Sequence, residues 1–186
     1  MDPNPAYVAR GEEQIRWMLS EIRSCLDAGL FHVVLFPALA LPDICGAIQA
    51  QNGQATGGTY ARWFDAYVAP RYMSDSGQCI LTGETCYQLR CAMLHQGRVT
   101  NKKMGYDAIM FLRPTERTVR HKDIVNKQLH LAFEQFCTDV IDGVERWLAS
   151  VGTDPVVRRN LAAKVRIRLI MAVGQPEPKP QSPPRR

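Results

Sequence analysis

Helical periodicity over most of the chain, broken once by a stretch of strand periodicity, predicts a mainly α fold. The expected architecture is a bundle of five or six helices with a small antiparallel β-sheet inserted after residue 97. Three observations carry this. Apolar residues recur at i, i+3, i+4 and i+7 in several separate windows. The period changes from 3.6 to 2 after Gly97 and returns to 3.6 at Phe133. With 186 residues, 46% of them hydrophobic and 22% charged, the chain has the size and composition of one globular domain with a sizeable core.

The elements follow in order. Ile15, Met18, Leu19, Ile22, Cys25 and Leu26 set one face of an amphipathic helix over roughly residues 8–28, and Gly29 ends it. Residues 31–40 are apolar nearly all round and so belong at the centre of the fold. Pro42 then fits the first turn of a separate helix over 43–49. The apolar run 30–42, interrupted by Pro37 and Pro42, is too short to cross a bilayer and reads as part of a core helix pair, with no membrane partner. His32 reads as a packed helix-end residue and Asp43 as an anion serving the dipole at a helix start. Residues 50–58, AQNGQATGG, form a loop by composition, and Thr59 caps the next helix. Its stripe of Tyr60, Trp63, Phe64, Tyr67 and Val68 ends at Pro70 and has core spacing rather than that of a base-stacking platform.

Residues 82–97, TGETCYQLRCAMLHQG, make one short helix with Thr82 as N-cap, Glu84 in the first turn and Gly97 as a left-handed stop. Cys86, Leu89, Met93 and Leu94 fall on its apolar stripe, and Arg90 shares that stripe, so this arginine needs a partner. Arg90 and His95 form the pattern Arg-x4-His, which a helix carries about 140° apart around its axis and roughly 7.5 Å apart along it. One helix is therefore not expected to aim both at one atom; a working site would use the frayed helix end or two copies of the helix across a dimer axis. The spacing alone is weak, since 17 Arg and 4 His in 186 residues give about one match by chance.

After Gly97, residues 106–112 and 128–133 read as two strands pairing antiparallel around a basic connection over 113–127 that contains His121. His130 reads as a strand residue. Phe133, Phe136, Cys137, Val140, Ile141, Val144, Trp147 and Leu148 form the strongest helical stripe, ended by Gly152. Pro155 opens a further short helix to about residue 162, and alternation of basic and apolar residues over 164–169 predicts a third strand. Residues 1–172 form the expected single domain, and 173–186 a disordered, proline-rich basic tail.

The formal net charge of +5 is unevenly spread. Residues 98–127, directly after His95, hold eight bases against three acids, a flank suited to a phosphate backbone or to a solvated loop. Arg98, Lys102, Lys103 and His121 are its candidate substrate contacts. The six cysteines contain no C-x2-C pair and read as reduced thiols, and the chain shows no signal peptide, so a cytoplasmic setting is expected. No acidic cluster with metal-ligand spacing occurs, so neither metal nor cofactor is expected.

The segment CYQLRCAMLHQGR (86–98) resembles the signature of the HEPN superfamily, helical domains in which an Arg-x4-6-His motif cuts RNA, usually in a dimer. FPALALPDICGAIQ (36–49), RWFDAYV (62–68) and FEQFCTDVIDGVERWL (133–148) look like pieces of one uncharacterised bacterial branch of it. Cys91 stands where many of its nucleases carry a polar residue. The resemblance implies a HEPN-like bundle and a homodimeric, metal-independent endoribonuclease with Arg90 and His95 catalytic and RNA as substrate. It also implies a host-defence or toxin–antitoxin setting with an antitoxin or defence-system partner protein.

Two other readings stand beside the enzyme. One is a non-catalytic binding module that uses the same helix to hold a nucleotide or a protein. The other is a structural pair, with Arg90 bonded to a buried acid such as Asp43 or to backbone carbonyls while His95 caps the helix end. Position separates them: an open, positive groove favours the enzyme.

Overall fold

Asn4 starts the first helix of the computed structural model, which describes residues 3–113 and 121–164. Its side chain accepts from the Ala6 N–H at 2.9 Å and Pro5 fills the first helical position, so helix α1 runs Pro5–Asp27. Val8, Gly11, Ile15, Leu19 and Ile22 are its buried face, and Gly29, at φ 70°, turns the chain. Helix α2 spans Phe31–Gln49, α3 Gly57–Tyr67 and α4 Gly83–Gln96, with a one-turn 3-10 helix at Ala69–Arg71 between the last two. Strands β1 (Ala108–Leu112), β2 (Asp123–Val125) and β3 (Gln128–Ala132) precede α5 (Phe133–Val151) and α6 (Pro155–Lys164).

The expected helix pair over 31–49 is one continuous helix. Pro37 and Pro42 lie inside α2, where each removes a backbone donor. Burial explains the tolerance: Val34, Ala38, Leu39, Leu41 and Cys45 are sealed in a core to which the other helices all contribute, while Val33, whose carbonyl loses its donor at Pro37, is on the exposed side. Asp43 is therefore mid-helix and not in a first turn. By length and composition α2 could cross a membrane, but half of that window is buried inside the fold.

Thr56, not Thr59, is the N-cap of α3; the two share a capping box, Thr56 accepting from the Thr59 N–H and Thr59 Oγ1 from the Thr56 N–H. Tyr60, Trp63 and Phe64 then enter the core, where Trp63 meets Trp147 of α5 edge-on. The eight apolar residues expected on α5 are all buried. Gly83 sets the α3–α4 distance, because a Cβ there would overlap the Ala61 backbone.

The sheet is mixed, order β1-β3-β2, where an antiparallel one was expected. Asn126 and Lys127, at φ 48° and 60°, close a two-residue hairpin that makes β2 and β3 antiparallel. That hairpin occupies one edge of β3, so β1 takes the other and runs parallel, Ile109 opposite Leu129. β2, only three residues long, carries too little pattern to be seen in the sequence. The expected strand over 164–169, except Lys164 at the end of α6, and the expected tail over 173–186 lie outside the described residues.

Gly83→Ala should lower stability by about 1–3 kcal/mol through overpacking, whereas Gly152→Ala, at φ −55° with nothing within 4 Å of the new methyl, should be neutral or stabilising. Urea midpoints of the two variants, read side by side, check the close α3–α4 approach.

Candidate functional site

The site begins with the way α4 stops. Thr82 accepts from the Thr85 N–H at 3.2 Å at the start. At the end Gly97 is left-handed (φ 62°), its N–H reaches the Met93 carbonyl at 2.9 Å, and the Arg98 N–H folds back to the Ala92 carbonyl at 3.2 Å. His95 is thus held in the last turn, exposed, on a helix end whose direction is fixed.

Arg90 lies one turn earlier, its side chain only 23% exposed. Its Nε donates to Asp43 Oδ2 of α2 at 2.7 Å, the buried-acid partner that its place on the stripe required. Burial pushes the Asp43 carboxyl pKa up, opposed by the Arg90 charge and hydrogen bond. For Arg90 burial works the other way, but the Asp43 carboxylate, with Cys91 adding to it, outweighs burial and the pKa rises. A charge-assisted contact of this length keeps both groups ionised at neutral pH.

Contrary to the expectation from helical spacing, Arg90 and His95 meet within one chain: Arg90 Nη1 is 3.3 Å from His95 Nε2. Helical side chains lean toward the N-terminus, so His95 leans back over the turn that carries Arg90, and the long arginine stem closes the remaining angle. An arginine has only donors, so His95 Nε2 is the acceptor and its lone pair is fixed in direction.

A cleft of about 960 Å³ opens beside this pair, between the end of α4 and the chain from 98 to 107. Cys91, His95, Arg98, Lys102, Tyr106 and Lys127 are among its walls, and among the described residues Asp107 is the single acid there. Asn101 pins the loop, donating to Gln88 Oε1 at 3.0 Å, and Tyr106 donates to the Ile80 carbonyl at 2.7 Å. The structure therefore brings His95, Arg98 and Lys102 together, with Arg90 behind His95. Lys103 is exposed but is not a wall of the cleft, and His121 lines a different one. Lys127 and Tyr106 were missed by sequence reasoning. The signal for Lys127 was Asn126, a residue that tolerates the left-handed turn bringing the lysine back toward the cleft.

Among the described residues no group of three or more His, Cys, Asp or Glu is placed to hold a metal. The six cysteines are unpaired, and burial pushes the thiols of Cys86 and Cys137 up to about 12. No family model, curated protein or solved structure matches the chain.

Asp43→Ala should cost about 3 kcal/mol, because it strands a half-buried guanidinium, while the pair Asp43→Leu with Arg90→Met should recover most of that loss. A double-mutant cycle by urea denaturation measures the coupling.

Proposed function

We propose that the chain is a metal-independent endoribonuclease of HEPN type, with His95 as general base and Arg90 as the cation for the phosphate. The observation that carries this reading is the contact of Arg90 Nη1 with His95 Nε2 at the edge of a cleft walled by Arg98, Lys102 and Lys127. A ribose 2′-OH entering the site replaces Nη1 as the donor to the His95 lone pair, and the released Nη1 turns to the adjacent phosphate. His95 then takes the 2′ proton, the 2′ oxygen bonds to phosphorus, and the bond from phosphorus to the 5′ oxygen breaks. The leaving oxygen is protonated by the imidazolium or by water, giving a 2′,3′-cyclic phosphate and a 5′-hydroxyl. Asp43, through Nε, fixes the direction of the guanidinium, and the basic walls track the strand.

The non-catalytic readings, the structural pair first and with it a module that holds a nucleotide or a protein, are favoured by one observation. Asp43 already occupies Arg90 Nε, and only 23% of the arginine side chain reaches solvent. Incubation of purified protein with labelled RNA in EDTA separates the two. The enzyme cuts, His95→Ala lowers the rate by about 10²–10⁴-fold while binding persists, Arg90→Lys remains impaired because an ammonium lacks the fork, and a 2′-deoxy substitution at the cleaved position abolishes cutting. Saturable binding with no cleavage of any RNA leaves the module.

A homodimer belongs to the same reading. One chain already joins Arg90 to His95, so the second copy is not needed to converge them. Its support is the apolar side of α2 that the described residues leave uncovered, where Val33 is 58% and Phe36 41% exposed on the helix that carries Asp43. Light scattering should give twice the chain mass for wild type and one chain mass for Val33→Glu with Phe36→Glu; a wild-type monomer at micromolar concentration removes the dimer.

A further inference from the structure

A second cleft, of about 410 Å³, lies where the 3-10 turn, the chain entering β2 and the first turn of α5 meet. Arg71, His121, Lys122 and Gln135 are among its walls, over Asp139. The Asp139 side chain is 3% exposed and its carboxylate is fully engaged. Oδ1 accepts from Arg71 Nη1 at 2.5 Å and from Gln135 Nε2 at 2.9 Å, and Oδ2 accepts from the Tyr72 hydroxyl at 3.0 Å. Arg71 Nη1 also donates to Asp142 at 3.0 Å. Two carboxylates thus fix the guanidinium at the rim through Nη1.

His121 is set by different contacts. Its Nδ1 accepts from the Ala132 N–H at 3.2 Å, so in the neutral ring the hydrogen is on Nε2, and the ring stands edge-on to Tyr72 with centroids 5.7 Å apart. Burial lowers its pKa from the ordinary 6.5, Asp139 opposing and Lys122 adding to the effect, which keeps the ring neutral at pH 7. Lys122 has a left-handed backbone, φ 65°, and its ammonium lies back against the Arg71 carbonyl at 3.5 Å. That conformation is costly for a lysine, and it holds the ammonium at the rim.

We propose that this cleft is a second site, one that binds a phosphate group through the Lys122 ammonium, His121 Nε2–H and the Arg71 guanidinium. Three donors, Arg71 from the 3-10 turn and His121 and Lys122 from the chain entering β2, match the several acceptor oxygens of a tetrahedral phosphate better than the two of a planar carboxylate. The pH dependence is specific. Protonation of His121 at Nδ1 places a second donor against the Ala132 N–H and dismantles the site, and a phosphate monoester loses its second charge below about 6, the free ion somewhat higher. Affinity therefore rises from pH 5.5 to 7.5, opposite to capture by a histidine cation; the charged groups that face His121 and the cleft are Asp139, Asp142, Arg71 and Lys122.

The test is titration of the full chain with inorganic phosphate, followed by calorimetry in every variant and, where His121 is present, by its imidazole NMR signals. It is repeated with an oligonucleotide carrying a 5′-phosphate and with its 5′-hydroxyl twin. Two variants keep the fold: His121→Asn retains an acceptor for the Ala132 N–H but loses Nε2–H, and Lys122→Gly suits the left-handed backbone. Each should weaken phosphate binding by about 10-fold with an unchanged or raised thermal midpoint. Equal affinity for free phosphate and for the phosphorylated oligonucleotide identifies the free ion as ligand. Tighter binding of the phosphorylated strand over its twin identifies a strand end. Absence of saturable phosphate binding, binding indifferent to both variants, or affinity that falls as pH rises overturns the proposal. His95→Ala leaves these titrations unchanged, so this site and the ribonuclease reading stand or fall separately.

Discussion

The bond from Arg90 to Asp43 is the constraint on which the His95 site depends. It ties α4 to the middle of α2, a helix packed into the core on one side, and so refers the direction of the exposed His95 to the rigid core. A guanidinium on a flexible stem sweeps many positions; one anchored at Nε presents its remaining nitrogens in a narrow fan. His95 lies in that fan because the αL turn at Gly97 stops the helix immediately after it. The packing of α3 against both helices keeps the reference fixed, since Gly83 lets the α3 and α4 backbones touch and so settles where Arg90 stands relative to Asp43.

Much of this was legible in residues 82–97. Caps and stop are local chemistry, and the bounds of α4 follow from Thr82 and Gly97 alone. The α5 stripe was equally plain, because a buried face on a 19-residue helix repeats over five turns. What failed was non-local. Proline is a helix breaker in isolation, so 31–49 read as two helices; burial on several sides holds it as one. Strand direction failed because the decisive element, β2, is three residues long and its turn, Asn-Lys, lacks the usual glycine. The convergence of Arg90 and His95 failed because spacing on an ideal helix describes Cβ positions and not the reach of a long side chain.

The basic flank illustrates the difference between charge and placement. Arg98, Lys102, Lys103 and His121 were grouped by proximity in sequence, yet the fold sends Arg98 and Lys102 to the His95 cleft, His121 to the other, and leaves Lys103 outside both sets of walls. The network under His121 has the opposite history. Arg71, Tyr72, Asp139 and Asp142 come from two distant segments with no shared motif, so nothing in the sequence marks them as neighbours.

The hairpin turn at Asn126–Lys127 sets two kinds of fitness against each other. A left-handed backbone costs a lysine about 1 kcal/mol that glycine does not incur, so a laboratory selection for heat resistance alone would drift toward glycine at 127. Such a lineage would gain stability and lose a positive wall of the cleft in the same step. A population selected for an activity that needs the cleft would hold the lysine against that drift, and the residue recovered at this one position would report which pressure the chain was under.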